Sequence, residues 1–151
     1  MNYSQLINLY FERASALQWY WTLYVVIIGG LLAFSSLRQR PDKITAVLVL
    51  VLFSFFAYKN LSAIHEVLSQ RNATYDLVQA YQPTNGENSP EWWSIKQFRD
   101  HVQGALVRQE WEGVRIFHIA SDIVTVLALC AMEYRRMRAK AEADRRAPVT
   151  G

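Results

Sequence analysis

ASALQWYWTLYVVIIGGLLAFSSL, residues 14–37, contains no charged side chain, and its reading decides the fold. About 20 helical residues cross the hydrocarbon layer of a bilayer, and a helix satisfies every backbone donor and acceptor within its own segment. A soluble helix of this length would instead carry charge along one face. The stretch therefore predicts a transmembrane helix at 18–37, preceded by an amphipathic piece at 1–17 in which Leu6, Ile7, Tyr10 and Phe11 stand beside Glu12 and Arg13. A cleaved leader is the competing reading, because Ala33 and Ser35 resemble a small-residue cleavage site. The length of the apolar stretch and its single preceding base, Arg13, favour a retained span.

Working outward, ITAVLVLVLFSFFAY (44–58) continues past Lys59 and Asn60 into LSAI. A lysine near a helix end can extend its ammonium to the interface, so a second span is placed at 44–64. The third, at 115–133, is interrupted by His118 and Asp122, and an aspartate at mid-bilayer costs about 2.5–3.5 kcal/mol. Of 151 residues, 52% are hydrophobic and 13% aromatic, more apolar surface than one modest domain hides from water. The expected fold is a single all-α domain, 1–151. It is an integral membrane protein of three long helices, each with one span, extended on the outer side into a small antiparallel helical bundle.

Orientation follows from the bases in the short flanks. Arg38, Arg40 and Lys43 lie in the first connection, and Arg135, Arg136, Arg138, Lys140, Arg145 and Arg146 in the tail 134–151. Both belong on the cytoplasmic side. The segment 66–115 carries five bases against seven acids, so the amino terminus and 65–114 belong outside. The membrane expected is a bacterial inner (plasma) membrane.

The outer segment reads as a helical hairpin. No Pro or Gly occurs from Asp42 to Tyr81, so the second helix runs on, with Leu61, Ile64, Leu68, Tyr75 and Val78 on one stripe that only Arg71 breaks. The turn is PTNGENSP, 83–90, with Ser89 as N-cap and Pro90 at the first helical position. From there one helix is expected through the third span, presenting Trp92, Ile95, Phe98, Val102 and Ala105, with Gly104 and Gly113 as weak points.

His118 and Asp122 are the residues that raise a functional question. With a turn near residue 86 and equal rise, facing positions on the second and third helices have numbers summing to roughly 173. His118 is then level with Phe55, and Asp122 with Val51. Tyr24 and Thr22 of the first helix match Asp122, Tyr20 and Trp21 match His118, and Ser54 is close. Glu112, Arg115, His118, Asp122 and Thr125 follow at helical spacing, as a polar stripe descending to mid-membrane and ending there. Intramembrane ionisable groups are functional-site hypotheses by default, so one reading is a proton or ion site of His118, Asp122, Tyr24, Ser54, Thr125 and Arg115. The other is a satisfied polar cluster that sets helix register or oligomer state.

Enzyme chemistry finds no support. The phosphate loop, G-x-S-x-G, H-E-x-x-H and a cysteine pair are all missing from the sequence. Cys130 is the single cysteine, and His65, His101 and His118 do not share a level, so no metal and no cofactor is expected. Gly29, Gly30 and Ala33 form a small-residue face suited to close helix approach, with a subunit or with the chain's own helices. Adjacent Trp92 and Trp93 cannot both point inward, so one faces a partner, the first helix or the membrane surface. The basic tail is explained by orientation and anionic lipid rather than nucleic acid. Asn2, Asn60 and Asn72 each open an N-x-S/T triplet, Asn60 at the expected membrane surface. The partners expected are the bilayer and either a second copy, in a homo-oligomer, or another membrane protein. The expected function is that of a non-enzymatic accessory or scaffold subunit, with transport or proton sensing through His118 and Asp122 as the alternative.

Overall fold

The computed structural model describes residues 2–82, 90–102 and 104–146. Among them the chain is all-helical, with α1 (Tyr3–Leu37), α2 (Lys43–Ala80), α3 (Pro90–Val102) and α4 (Trp111–Arg146). Three of these, α1, α2 and α4, are long and apolar enough to cross a membrane. The third helix expected from 90 to 133 is in fact two, because the chain leaves helical geometry between Val102 and Trp111. Gly104 and Ala105 form the turn there. The turn at 83–89 and the Ser89 cap lie outside the described residues.

Local chemistry accounts for the helix ends. At the start of α1, the Asn2 side chain accepts the Gln5 N–H at 2.9 Å while Gln5 Oε1 accepts the Asn2 N–H at 2.9 Å, a reciprocal cap that satisfies two otherwise orphaned donors. After Leu37, RQRPD intervenes, and Pro41 cannot extend a helix. Asp42 then caps α2, accepting the N–H groups of Ile44 (3.0 Å) and Thr45 (3.3 Å) and the Thr45 hydroxyl at 2.5 Å. The Thr45 hydroxyl and amide hold the Asp42 carboxyl below the usual carboxylate range.

Along α2 the buried positions are Phe53, Ala57, Asn60, Ile64, Val67, Arg71, Thr74 and Val78, with Leu68 beside them. Their spacing alternates between four and three residues, the repeat of an inward seam. Ile64, Leu68 and Val78 of the expected stripe are inside, whereas Leu61 and Tyr75 are only partly covered. Arg71, the apparent break in the stripe, is itself buried.

By its contacts the chain divides into two units, Met1–Tyr20 with Ala63–Trp111, and Trp21–Ser62 with Glu112–Gly151. The core of the first is Tyr3, Leu6, Ile7, Tyr10, Val78 and Leu106, with Tyr75, Tyr81, Ile95 and Val102 against it. Its non-helical segment needs partners for backbone groups that no longer pair within a helix. Tyr10 supplies two, its hydroxyl accepting the Val107 N–H at 2.9 Å and donating to the Val107 carbonyl at 3.0 Å. Asn72 does the same for Gln109, donating to its carbonyl at 2.8 Å and accepting its N–H at 3.3 Å. The Arg71 guanidinium reaches the Val107 carbonyl and Gln109 Oε1 and lies 5.8 Å from the Tyr10 ring centroid.

Tyr10→Phe keeps the ring and removes both Val107 bonds. The expected loss is about 1–3 kcal/mol, at ~0.5–1.5 per hydrogen bond, with faster amide exchange at Val107. An unchanged unfolding midpoint together with unchanged exchange would show that the segment is held by its apolar contacts alone.

Candidate functional site

The second unit contains a buried layer of polar side chains drawn from three helices. His118 of α4 is 0% exposed. Its Nδ1 lies 3.0 Å from Asp122 Oδ2, one turn further along α4. Tyr24 of α1 donates its hydroxyl to the other carboxylate oxygen, Asp122 Oδ1, at 2.7 Å, and the same hydroxyl is 3.3 Å from the His118 carbonyl. From α2, Asn60 Nδ2 lies 3.2 Å from His118 Nε2. Aromatic packing closes the layer, with the Tyr24 and His118 rings 4.2 Å apart and Trp21 5.8 Å from His118.

With Asn60 Nδ2 donating, His118 Nε2 is the acceptor, so Nδ1 carries the hydrogen and donates to Asp122. The carboxylate then receives one donor on each oxygen. Asn60 Oδ1 is buried without a hydrogen-bond partner among the described residues. The layer is therefore a clamp on three helices.

Asn60 was not among the residues anticipated for this site. The count that put Phe55 level with His118 assumed an unbroken third helix of equal rise, and the break before Trp111 invalidates it. The available signal was the α2 seam itself, since Phe53, Ala57 and Ile64 project inward and position 60 falls among them. Asn60, expected at the membrane surface, is buried at 4% exposure.

Other expected members fall elsewhere. Ser54 is exposed and donates to the Leu50 carbonyl at 2.8 Å, apart from the cluster. Thr125 is buried, but its hydroxyl is bonded to the Ser121 carbonyl at 2.8 Å. Arg115 pairs with Glu112 at 2.7 Å, both substantially exposed. The polar stripe therefore does not descend as a path. Spacings of three drift round the helix, so Glu112 sits about 120° from His118.

Gly29, Gly30 and Ala33 are exposed, and a Cβ at either glycine would meet nothing within 4 Å. This corrects the intramolecular reading of that face, because the chain's own helices do not occupy it. Trp92 and Trp93 of α3 meet edge to face at 4.9 Å, with Lys96 near both rings, and Trp93 is 57% exposed.

A second polar layer escaped the sequence reading, which took its arginines, Arg38 and Arg136, only as orientation signals. Glu133 of α4, 7% exposed, accepts the Asp42 N–H on Oε1 at 2.8 Å and Arg136 on Oε2 at 2.8 Å, with Arg38 at 4.0 Å. Arg136 also donates to the Arg38 carbonyl at 2.8 Å and lies 3.4 Å from the buried Ser35 hydroxyl. These contacts fasten the 38–42 turn to α4. Among the described residues no three His, Cys, Asp or Glu side chains converge as a metal set.

Comparison with protein-family models, with curated proteins and with solved structures gave no match to the chain.

Proposed function

We propose that this chain is a small non-enzymatic integral membrane protein that acts through helix contacts, as an accessory or scaffold subunit of a membrane complex or as a homo-oligomer. In this reading the amino terminus and 65–114 face outward, while 38–43 and the carboxyl terminus face the cytoplasm of a bacterial cell. One observation carries it. The polar groups of α1, α2 and α4 are turned inward on one another at the His118 layer, whereas Val25, Val26, Leu52, Phe55, Phe117, Val124 and Leu127 are exposed. That division suits helices surrounded by lipid and neighbouring helices. The uncovered Gly29 face and the exposed Trp93 beside the partly buried Trp92 supply candidate contact surfaces.

The test is purification of the tagged native protein in a mild detergent, with the intact mass of the complex and the identity of every bound polypeptide. A stoichiometric partner or a closed homo-oligomer is expected, and Gly29→Leu, which meets no obstacle within the chain, should dissociate it without unfolding. A monomer free of partners would overturn the proposal.

A second reading, transport or proton sensing, draws on the fully buried His118 bonded to the partly buried Asp122, and on Asn60 Oδ1, which has no hydrogen-bond partner among the described residues. Charge removal at Asp122 distinguishes the two, as developed below.

A further inference from the structure

Where the 38–42 turn is fastened to α4, the end of α1, the first two turns of α2 and α4 enclose a groove of about 320 Å³, within the range of small-molecule sites. Phe34, Val47, Leu50 and Leu129 give it an apolar wall, and Arg38 and Lys43 stand at the end nearest the turn. By helical rise Leu50 is about 10 Å from Lys43 along α2, so charge and apolar lining are separated along the groove. Phe34 and Val47 are themselves half exposed, and the groove opens onto the outward apolar surface.

The charge at the mouth is not balanced. The Asp42 carboxylate is engaged by Ile44 and Thr45, and Glu133 by Arg136 and the Asp42 N–H. Arg38 is only at the limit of an ion pair with Glu133 (4.0 Å), and Lys43 takes part in no ion pair among the described residues. Arg38, Lys43 and Arg136 thus stand against two carboxylates, of which Glu133, the one lining the groove, is already paired with Arg136.

We propose that the groove binds an anionic phospholipid, one acyl chain lying along Val47, Leu50 and Leu129 and the phosphate against Lys43 and Arg38. The proposal rests on the membrane reading above and adds a defined lipid site to it. An anionic rather than zwitterionic headgroup is favoured because the groove lining offers Arg38 and Lys43 against the single, already paired carboxylate of Glu133.

The experiment is native mass spectrometry of the full chain, equilibrated in detergent with equal amounts of phosphatidylglycerol and phosphatidylcholine of the same acyl chains. Wild type is expected to retain one phosphatidylglycerol in preference to phosphatidylcholine. Lys43→Ala should reduce that preference about fivefold, since one basic residue at a membrane surface is worth about 1 kcal/mol. Val47→Trp, which fills the groove from an exposed position, should lower retention of both lipids. Helical circular dichroism identifies a variant that has merely unfolded. Equal retention of the two lipids, or retention indifferent to both substitutions, would overturn the site. So would a doubled mass abolished by Val47→Trp, which assigns the groove to a second copy. In these cases a protein that still needs detergent for extraction leaves the membrane reading standing. A chain that is monodisperse without detergent removes both.

Discussion

Glu133→Ala is expected to lower the stability of the folded chain by about 3–5 kcal/mol, the range for removing one partner of a buried ion pair. The size follows from what would be stranded. Glu133 and Arg136 side chains are 10% and 11% exposed, so the Arg136 guanidinium would lose its counter-charge where water reaches it poorly, and Arg38, 16% exposed and 4.0 Å away, would lose the nearest carboxylate to it. The Asp42 N–H at the start of α2 would lose its acceptor as well. Glu133→Gln keeps an oxygen for that N–H and removes only the charge, so its loss should be intermediate. Denaturant titration of the micelle-bound protein, followed by circular dichroism, measures both variants. A loss below about 1 kcal/mol for alanine would place the pair among solvated surface ion pairs and remove the turn from the determinants of the fold.

The second large effect is expected at Asp122, where the comparison of two substitutions matters more than either alone. Asp122→Leu leaves the His118 N–H without its acceptor and the Tyr24 hydroxyl with only the His118 carbonyl at 3.3 Å, the stranded donor alone costing about 1–3 kcal/mol, and should visibly weaken the second unit. Asp122→Asn can rebuild the layer, since its carbonyl oxygen accepts from His118 and its amide donates to a Tyr24 hydroxyl able to accept. The expected result is that asparagine lies within about 1 kcal/mol of wild type, at the scale of one neutral hydrogen bond, with the assembly intact. Reconstitution in liposomes then separates the two functional readings. A pH-driven flux or response present in wild type and lost in intact Asp122→Asn would establish the proton reading and displace the scaffold one.

How much of this was legible depended on the range of the forces involved. Charge-free runs are local and strong, so the three long apolar helices were readable from composition alone. The small face at Gly29, Gly30 and Ala33 was readable too, but not what covers it. The break between α3 and α4 was only hinted at by Gly104. Ala105, Leu106 and Val107 are not helix breakers, and what holds them outside a helix are Tyr10 and Asn72, which are 97 and 37 residues away along the chain from the groups they bind. Counting residues placed Tyr24 and Trp21 near the His118–Asp122 turn because no break intervenes in α1. The same counting selected Ser54 and Phe55 over Asn60. Glu133 was the least legible, because a glutamate close to two arginines at the end of an expected span looks the same in sequence whether solvated or buried.

The order of the partners along the chain has a consequence for biogenesis. Tyr24 and Asn60 are synthesised before His118 and Asp122. In the proposed bilayer setting, the helix that is hardest to insert leaves the ribosome last, when both earlier helices can already offer it a phenol and an amide. A ribosome-stalled chain ending after α2 should therefore integrate by itself, whereas α4 expressed alone should lag at the translocon. The penalty of an aspartate in hydrocarbon then becomes a checkpoint on assembly, admitting the last helix only where the first two are in place.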